Sequence, residues 1–112
     1  MIAEFQRTLR EFAVNVMRPA GIRLDRMSAA EVIAPDSPYW EVRRKYLDLG
    51  INMETLGSLS PEDFSVLFPV IFEELGYGDA GLAISLGAAI LPMYLAAKFN
   101  NQFLLERFPD TM

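Results

Sequence analysis

Few side chains in this sequence could take part in chemistry. The 112 residues include no cysteine and no histidine. This composition excludes thiol nucleophiles, disulfides, serine–histidine–aspartate triads and zinc sites of the histidine–cysteine type. Carboxylates, tyrosines, serines, threonines and two lysines remain as candidates. Any other reaction would need a bound cofactor or another part of a larger protein, and we expect no metal site.

The most conspicuous carboxylates are the neighbours Glu73 and Glu74. They do not form an acid–base pair, because adjacent residues of a helix point about 100° apart and cannot converge on one substrate atom. Both lie near the predicted end of a helix, where negative charge opposes the helix dipole. Two interpretations stay open: the N–H groups of the next helix offset this charge, or both carboxylates are solvated.

Charge is distributed unevenly along the chain, whose net charge is −5. Residues 1–50 carry eight basic and seven acidic groups, whereas residues 51–112 carry two basic and eight acidic groups. This balance argues against nucleic-acid binding, which needs a basic face. The basic run Arg43–Lys45 predicts either a solvated helix face or an anion contact. The N-terminus has no secretory pattern, so we expect a cytoplasmic protein.

Apolar spacing and capping residues predict the elements that position these groups. A stripe from Ile2 to Val16 predicts a first helix that ends at Pro19 and Gly21. A tight glycine turn is expected over 76–78, and a kink at Pro69. Residues typical of helix caps precede five further predicted helical segments: Ser28, Ser37, Ser60, Asp79 and Asn101. Gly50 and Gly57 are expected at a helix end and in a turn.

An uncharged run of 18 residues extends from Ala80 to Ala97. Its length is near the threshold for a membrane span, but its small residues and Pro92 favour a buried helix. We therefore predict an all-α fold with one domain over residues 1–112. About five helices would form a compact bundle around a central apolar helix, Ala80–Lys98. The 52% hydrophobic content leaves an apolar face exposed, and a homo-oligomer without a membrane span is expected.

The segment Glu73–Ala83 resembles a signature in the N-terminal helical domain of acyl-CoA dehydrogenases. Leu9–Ala13, followed by Arg18–Ala20, resembles the first helix of that family and its proline-containing end. Leu47–Ile51 resembles the end of the second helix. Taken in order, the segments extend over nearly the whole chain. One departure is the stretch Asn52–Ser60, where the family commonly has a glycine-rich loop and this sequence has only Gly57.

The resemblance implies one part of an FAD-dependent enzyme that introduces an α,β double bond into an acyl-CoA thioester in fatty acid metabolism. The family's enzymes continue into a flavin-binding β-domain and a C-terminal helical domain that usually carries the catalytic glutamate. The resemblance therefore implies the N-terminal part of a longer flavoenzyme, with no catalytic residue of its own. Alone it would be inactive and would not hold FAD. By position, a substrate-binding wall for the acyl chain is expected, made of Ala83, Ile84, Gly87, Ala88 and Leu91.

Other interpretations of the same residues remain open. The five wall residues could equally be core packing. If they line a pocket, the small residues Ala83, Gly87 and Ala88 imply room for a long or bulky acyl group. The chain could also be a non-enzymatic helical module, or a split subunit that pairs with a fuller acyl-CoA dehydrogenase-like partner. A membrane-associated helical protein is the third possibility.

Overall fold

The computed structural model describes residues 2–51, 58–88 and 90–107. These residues form helices and no strand, which confirms the all-α prediction. Eight α-helical segments and one π-helical segment are present in the described ranges, so the helices are more numerous and shorter than expected. In chain order they are α1 (Ile2–Phe12), a π-helical segment (Ala13–Met17), α2 (Arg18–Leu24), α3 (Ala29–Ile33), α4 (Pro38–Asp48), α5 (Pro61–Gly78), α6 (Ala80–Gly87), α7 (Ile90–Lys98) and α8 (Gln102–Arg107).

The first helix does not end at Pro19 and Gly21, so that prediction was wrong. Helical backbone continues through the π-helical segment to Leu24. In a regular α-helix the ring of Pro19 would collide with the carbonyl four residues earlier. Here the Arg18 N–H donates to the carbonyl of Ala13, five residues back, so the wider turn lies immediately before the proline.

Local capping chemistry sets most of the other helix starts. Ser28 forms a capping box with Glu31 before α3, and the hydroxyl of Ser37 accepts a hydrogen bond from the Tyr39 N–H at the start of α4. The side chains of Ser60, Asp79 and Asn101 likewise each accept a backbone N–H of the helix that follows. All five predicted caps are confirmed.

The glycine turn predicted over 76–78 is absent. α5 runs through Gly76 and ends at Gly78, and Asp79 follows in an extended conformation. Among the described residues only Gly50 and Asn100 have positive φ. Gly50 is therefore the helix-end glycine that was predicted, whereas Gly78 serves another purpose. A Cβ at position 78 would lie 2.6 Å from the backbone oxygen of Ala13, so this glycine allows two helices to meet.

The predicted helix Ala80–Lys98 is divided into α6 and α7, so its continuity was wrongly predicted. Pro92 explains the break, because its ring would collide with the carbonyl of Ala88 in a continuous helix. Pro92 is the third residue of α7, and backbone N–H groups in the first turn of a helix have no partner within the helix, so the missing N–H of proline costs no helical hydrogen bond. Within the described residues, no helix is long and apolar enough to cross a membrane. The kink at Pro69 stays a prediction, and the Gly57 turn lies outside the described residues.

The centre of the fold is α5 rather than the helix after Asp79. α5 contacts α1, the π-helical segment and α6, and its residues Ile71, Glu74 and Leu75 are almost fully buried. The only described residue of α7 that is buried is Ala96. The radius of gyration of 14.6 Å slightly exceeds the roughly 13 Å expected for a chain of this length.

Candidate functional site

The five residues predicted to form a substrate wall do not share one environment. Ala83 and Gly87 are buried on one side of α6, as their spacing of four predicts. A Cβ at position 87 would lie 2.5 Å from the ring of Phe72, so a neighbouring aromatic side chain fills this space.

The other wall positions are solvent-facing or not described. Ile84 is 68% exposed, and Ala88 is exposed in the turn that follows α6. Leu91 belongs to α7, but its side chain lies outside the described residues. The four wall residues whose side chains are described are therefore divided between packed core and open surface, and the role of the wall toward an acyl chain stays a prediction.

A groove lies on another side of α6 and was not predicted. The ends of α2 and α3, the start of α4 and the first half of α6 border this groove, which is open to solvent and has a volume of about 270 Å³. Three aliphatic side chains, two carboxylates, two hydroxyls and two glycines line it: Leu24, Val32, Leu82, Asp25, Asp79, Tyr39, Ser85, Gly21 and Gly81. Mostly apolar walls with a few polar groups are typical of small-ligand sites.

Hydrogen bonds fix the polar groups of the groove. The hydroxyl oxygens of Tyr39 and Ser85 lie 2.7 Å apart, and either can donate to the other. Because this pair has two hydrogens and uses one, a hydroxyl hydrogen and several lone pairs stay available to a ligand. Asp79 Oδ1 accepts the N–H of Leu82 at 2.8 Å, so α6 itself orients this carboxylate.

Gly21 allows the Asp79 carboxylate to lie against α2. A Cβ at position 21 would be 2.1 Å from Asp79 Oδ2, a distance that no pair of non-bonded atoms tolerates. Gly21 thus makes room for a side chain 58 positions along the chain, and spacing within the first helix could not reveal this contact.

A second polar cluster joins α1 to α5 around a buried carboxylate. Glu74 is 1% exposed. Its Oε1 accepts from Gln6 Nε2 at 2.9 Å and from Arg10 Nη2 at 3.1 Å, and Oε2 accepts from Arg10 Nε. The hydrogen bond from Arg10 holds the pKa of Glu74 below its ordinary value, although burial alone would raise it. The same contact raises the pKa of Arg10.

Tyr77 extends this cluster at the end of α5. The guanidinium carbons of Arg10 and Arg18 lie 3.9 and 4.6 Å from the centroid of its ring, within cation–π range. Arg18 Nη2 also donates to the carbonyl of Tyr77 at 2.8 Å. Because Glu74 and both arginines are committed to partners, the cluster fastens helices together and offers no free acid or base.

These contacts decide between the two interpretations of Glu73 and Glu74. Glu73 is exposed, as the solvated alternative predicts. Glu74 is neither solvated nor bound to the next helix, since its partners come from α1. The useful signal in the sequence is the spacing of Gln6 and Arg10, two long polar side chains four residues apart beside the apolar stripe of α1.

Two other features of the described residues limit the chemistry available. Burial raises the pKa of Tyr46 to about 12, so this hydroxyl stays protonated and is not a general base at neutral pH. Its oxygen has no hydrogen-bond partner among the residues the structure describes. In the same part of the chain, no cluster of three or more acidic residues could hold a metal ion.

The groove is therefore one site at which described polar groups stay available. Asp25 and Asp79 make no ion pair with a described lysine or arginine. Comparison of the chain with protein-family models, with curated proteins and with solved structures found no match in any of the three.

Proposed function

We propose that the chain is the N-terminal helical domain of an FAD-dependent enzyme resembling the acyl-CoA dehydrogenases. One observation carries the proposal: two of the segments that resemble the family are in close contact with each other. Gly78, in the segment Glu73–Ala83, lies against Ala13, in the segment Leu9–Ala13. The resemblance to the family therefore includes residues at the contact between α5 and the π-helical segment. It does not rest only on helix ends, which many proteins share.

In this proposal the domain covers part of the acyl chain of a thioester substrate. The exposed side of α6 is suited to that role, because Ile84 is largely exposed and Ala88 is small. The catalytic base belongs to another domain. FAD would accept the hydride in the complete enzyme.

The start of α6 does not fit the pyrophosphate of FAD. The N-terminus of α6 is already occupied by the Asp79 carboxylate, and Asp25 adds negative charge beside it. Phosphates prefer free N–H groups and basic side chains. The proposal therefore places the flavin on other domains, and the described residues of this chain contribute only cover.

The second candidate function is a helical interaction module, or a split subunit that pairs with a fuller partner. Three large apolar side chains of the C-terminal part favour it: Leu95, Phe99 and Phe103 are all more than half exposed. Such side chains are suited to a partner surface or to a second copy of the chain. A cytoplasmic location and a homo-oligomer belong to both proposals.

The native polypeptide that carries this sequence, purified with its accompanying chains, tests the proposal. We expect visible flavin absorbance that remains with the protein through gel filtration. Under anaerobic conditions an acyl-CoA thioester should bleach it, whereas free CoA should not. Flavin confined to a separate chain would support the split-subunit alternative. A native protein that holds no flavin, takes up none from added FAD and leaves acyl-CoA unchanged would refute both flavin proposals.

A matched pair of substitutions in the same native protein tests the acyl-chain wall. Ala88→Leu adds volume on the exposed side of α6, whereas Gly87→Leu adds it against Phe72. If the exposed side lines the substrate, Ala88→Leu should lower the preference for long over short acyl-CoA by about tenfold or more. Gly87→Leu should instead lower thermal stability. An unchanged chain-length preference in Ala88→Leu would contradict the wall.

A further inference from the structure

We propose that the groove between α2, α3, α4 and α6 binds a primary alkylammonium ion with a short apolar stem, the chemistry of a lysine side chain. This site does not depend on the flavoenzyme proposal. The groove is open to solvent and combines apolar walls with polar groups of defined orientation, and its carboxylates lack a described cation. The apolar walls are suited to the stem of the ligand, and the carboxylates and hydroxyls are suited to its ammonium group.

Volume sets the size of the ligand. About 270 Å³ lies just under the range of roughly 300–1,000 Å³ that is typical of pockets for drug-sized molecules. A CoA thioester is too large for such a groove, whereas a chain of four or five carbons fits. Leu24, Val32 and Leu82 provide the apolar contact for that chain.

The charge of the groove determines the sign of the ligand's charge. Asp25 and Asp79 both line the groove, and no lysine or arginine lines it. The described salt bridges, in which Arg10 pairs with Glu74 and Glu41 pairs with Arg44 and Lys45, lie on other residues. An anion would meet two carboxylates there, so the complementary ligand is a cation.

Hydrogen-bond geometry distinguishes an ammonium ion from a guanidinium ion. The acceptors of the groove belong to separate elements, since Asp25 follows α2, Asp79 precedes α6 and Tyr39 lies in α4. This arrangement is less suited to the planar fork of a guanidinium, which prefers two parallel acceptors on one group. An ammonium ion has three separate donors. Its acceptors would be Asp25, the free oxygen of Asp79 and the hydroxyl pair of Tyr39 and Ser85.

Titration of the 112-residue chain with n-pentylammonium chloride tests this site, with backbone amide NMR shifts as the readout. We expect binding near the millimolar range, shift changes at Gly21, Gly81 and Leu82, and weaker binding at high salt. n-Pentanol and valerate are controls of matched length without the positive charge. Equal binding of the alcohol and the ammonium ion would overturn the proposal, and so would shift changes confined to other parts of the chain.

Asp79→Asn is the most informative variant, because asparagine caps a helix as well as aspartate does and only the charge is lost. We expect about fivefold weaker binding, the upper end for a solvent-accessible ion pair. Asp36→Asn is the matched control, since Asp36 is exposed and does not line the groove. A similar loss in both variants would show that net charge, rather than the groove, binds the ligand.

Two further measurements complete the test. Gly21→Ala displaces the Asp79 carboxylate without removing its charge, so it should also weaken binding if the chain remains folded by circular dichroism. Nα-acetyl-lysine methylamide identifies the source of the amine. Binding as tight as that of pentylammonium indicates a lysine of a partner, and much weaker binding indicates a free alkylamine. Failure of both probes to bind overturns the proposal, whatever the flavin experiments give.

Discussion

The contact between α1 and α5 gives the sharpest prediction about stability. Gly76 and Gly78 lie two residues apart in α5, and both have negative φ. Nothing lies within 4 Å of a Cβ placed at position 76, whereas a Cβ at 78 meets the oxygen, Cβ and Cα of Ala13 at 2.6, 2.8 and 2.9 Å. The same substitution to alanine should therefore have opposite effects at the two positions.

The magnitudes follow from these distances. Gly76→Ala should stabilise the protein by about 0.5–1 kcal/mol, because alanine favours the helix and restricts the unfolded chain. At Gly78 the obstacle is mostly backbone, so no side-chain rotation relieves it. Ordinary contact begins at 3.4 Å, and separating the helices by about 0.8 Å forfeits a quarter to a half of the dispersion energy between the atoms that part. We expect Gly78→Ala to destabilise by about 1–3 kcal/mol.

Urea and thermal denaturation, followed by far-UV circular dichroism, measure both effects. For a domain of this size, 1 kcal/mol shifts Tm by about 4 °C. The two variants should differ from each other by roughly 1.5–4 kcal/mol, the sum of the two effects. If the Gly78→Ala variant is as stable as the unmodified chain while the Gly76→Ala variant is more stable, the close contact of α5 with the π-helical segment is refuted.

Other expected outcomes concern pH, packing and association. The lowered pKa of Glu74 means that its contribution to stability is present above the unfolded value near 4.5 and is lost as pH falls further. As pH is lowered from 7 to 3, the urea midpoint should therefore fall more steeply for the unmodified chain than for Glu74→Gln. Arg10→Ala should lower the urea midpoint at pH 7, because it leaves a buried carboxylate without its cation; an unchanged midpoint would contradict the cluster. Gly87→Leu should cost about 1–3 kcal/mol in the isolated chain by overpacking against Phe72, and a thermal melt checks it. Self-association through exposed apolar side chains should diminish in Phe99→Ser, and sedimentation of both proteins decides this.

Local chemistry was readable from the sequence. Each of the five caps involves residues at most three positions apart, and Gly50 adopts the positive φ that a helix-end glycine favours. Such features depend on a few neighbouring residues and little on how the helices pack together. The all-α class follows from these starts and from the apolar stripes between them.

Long-range packing was not readable in the same way. Gly21 was interpreted as a residue that ends a helix, and Gly78 as a turn residue, because glycine ends helices more often than it lies within them. In the structure both are helical. Gly21 lies against the side chain of a residue 58 positions away, and Gly78 lies against the backbone of a residue 65 positions away. The groove was missed for the same reason, since its lining comes from four segments that only the fold brings together.

The π-helical segment has a consequence for how the first 24 residues should be aligned with other sequences. A π turn holds one more residue than an α turn, so side chains after Met17 are rotated relative to those before Ala13. This rotation lets α1 pack on α5 while α2 packs on α4. A comparison that assumes a constant period of 3.6 residues would assign the wrong face to every residue from Arg18 to Leu24. Alignments of this region should therefore allow a one-residue gap within Ala13–Met17.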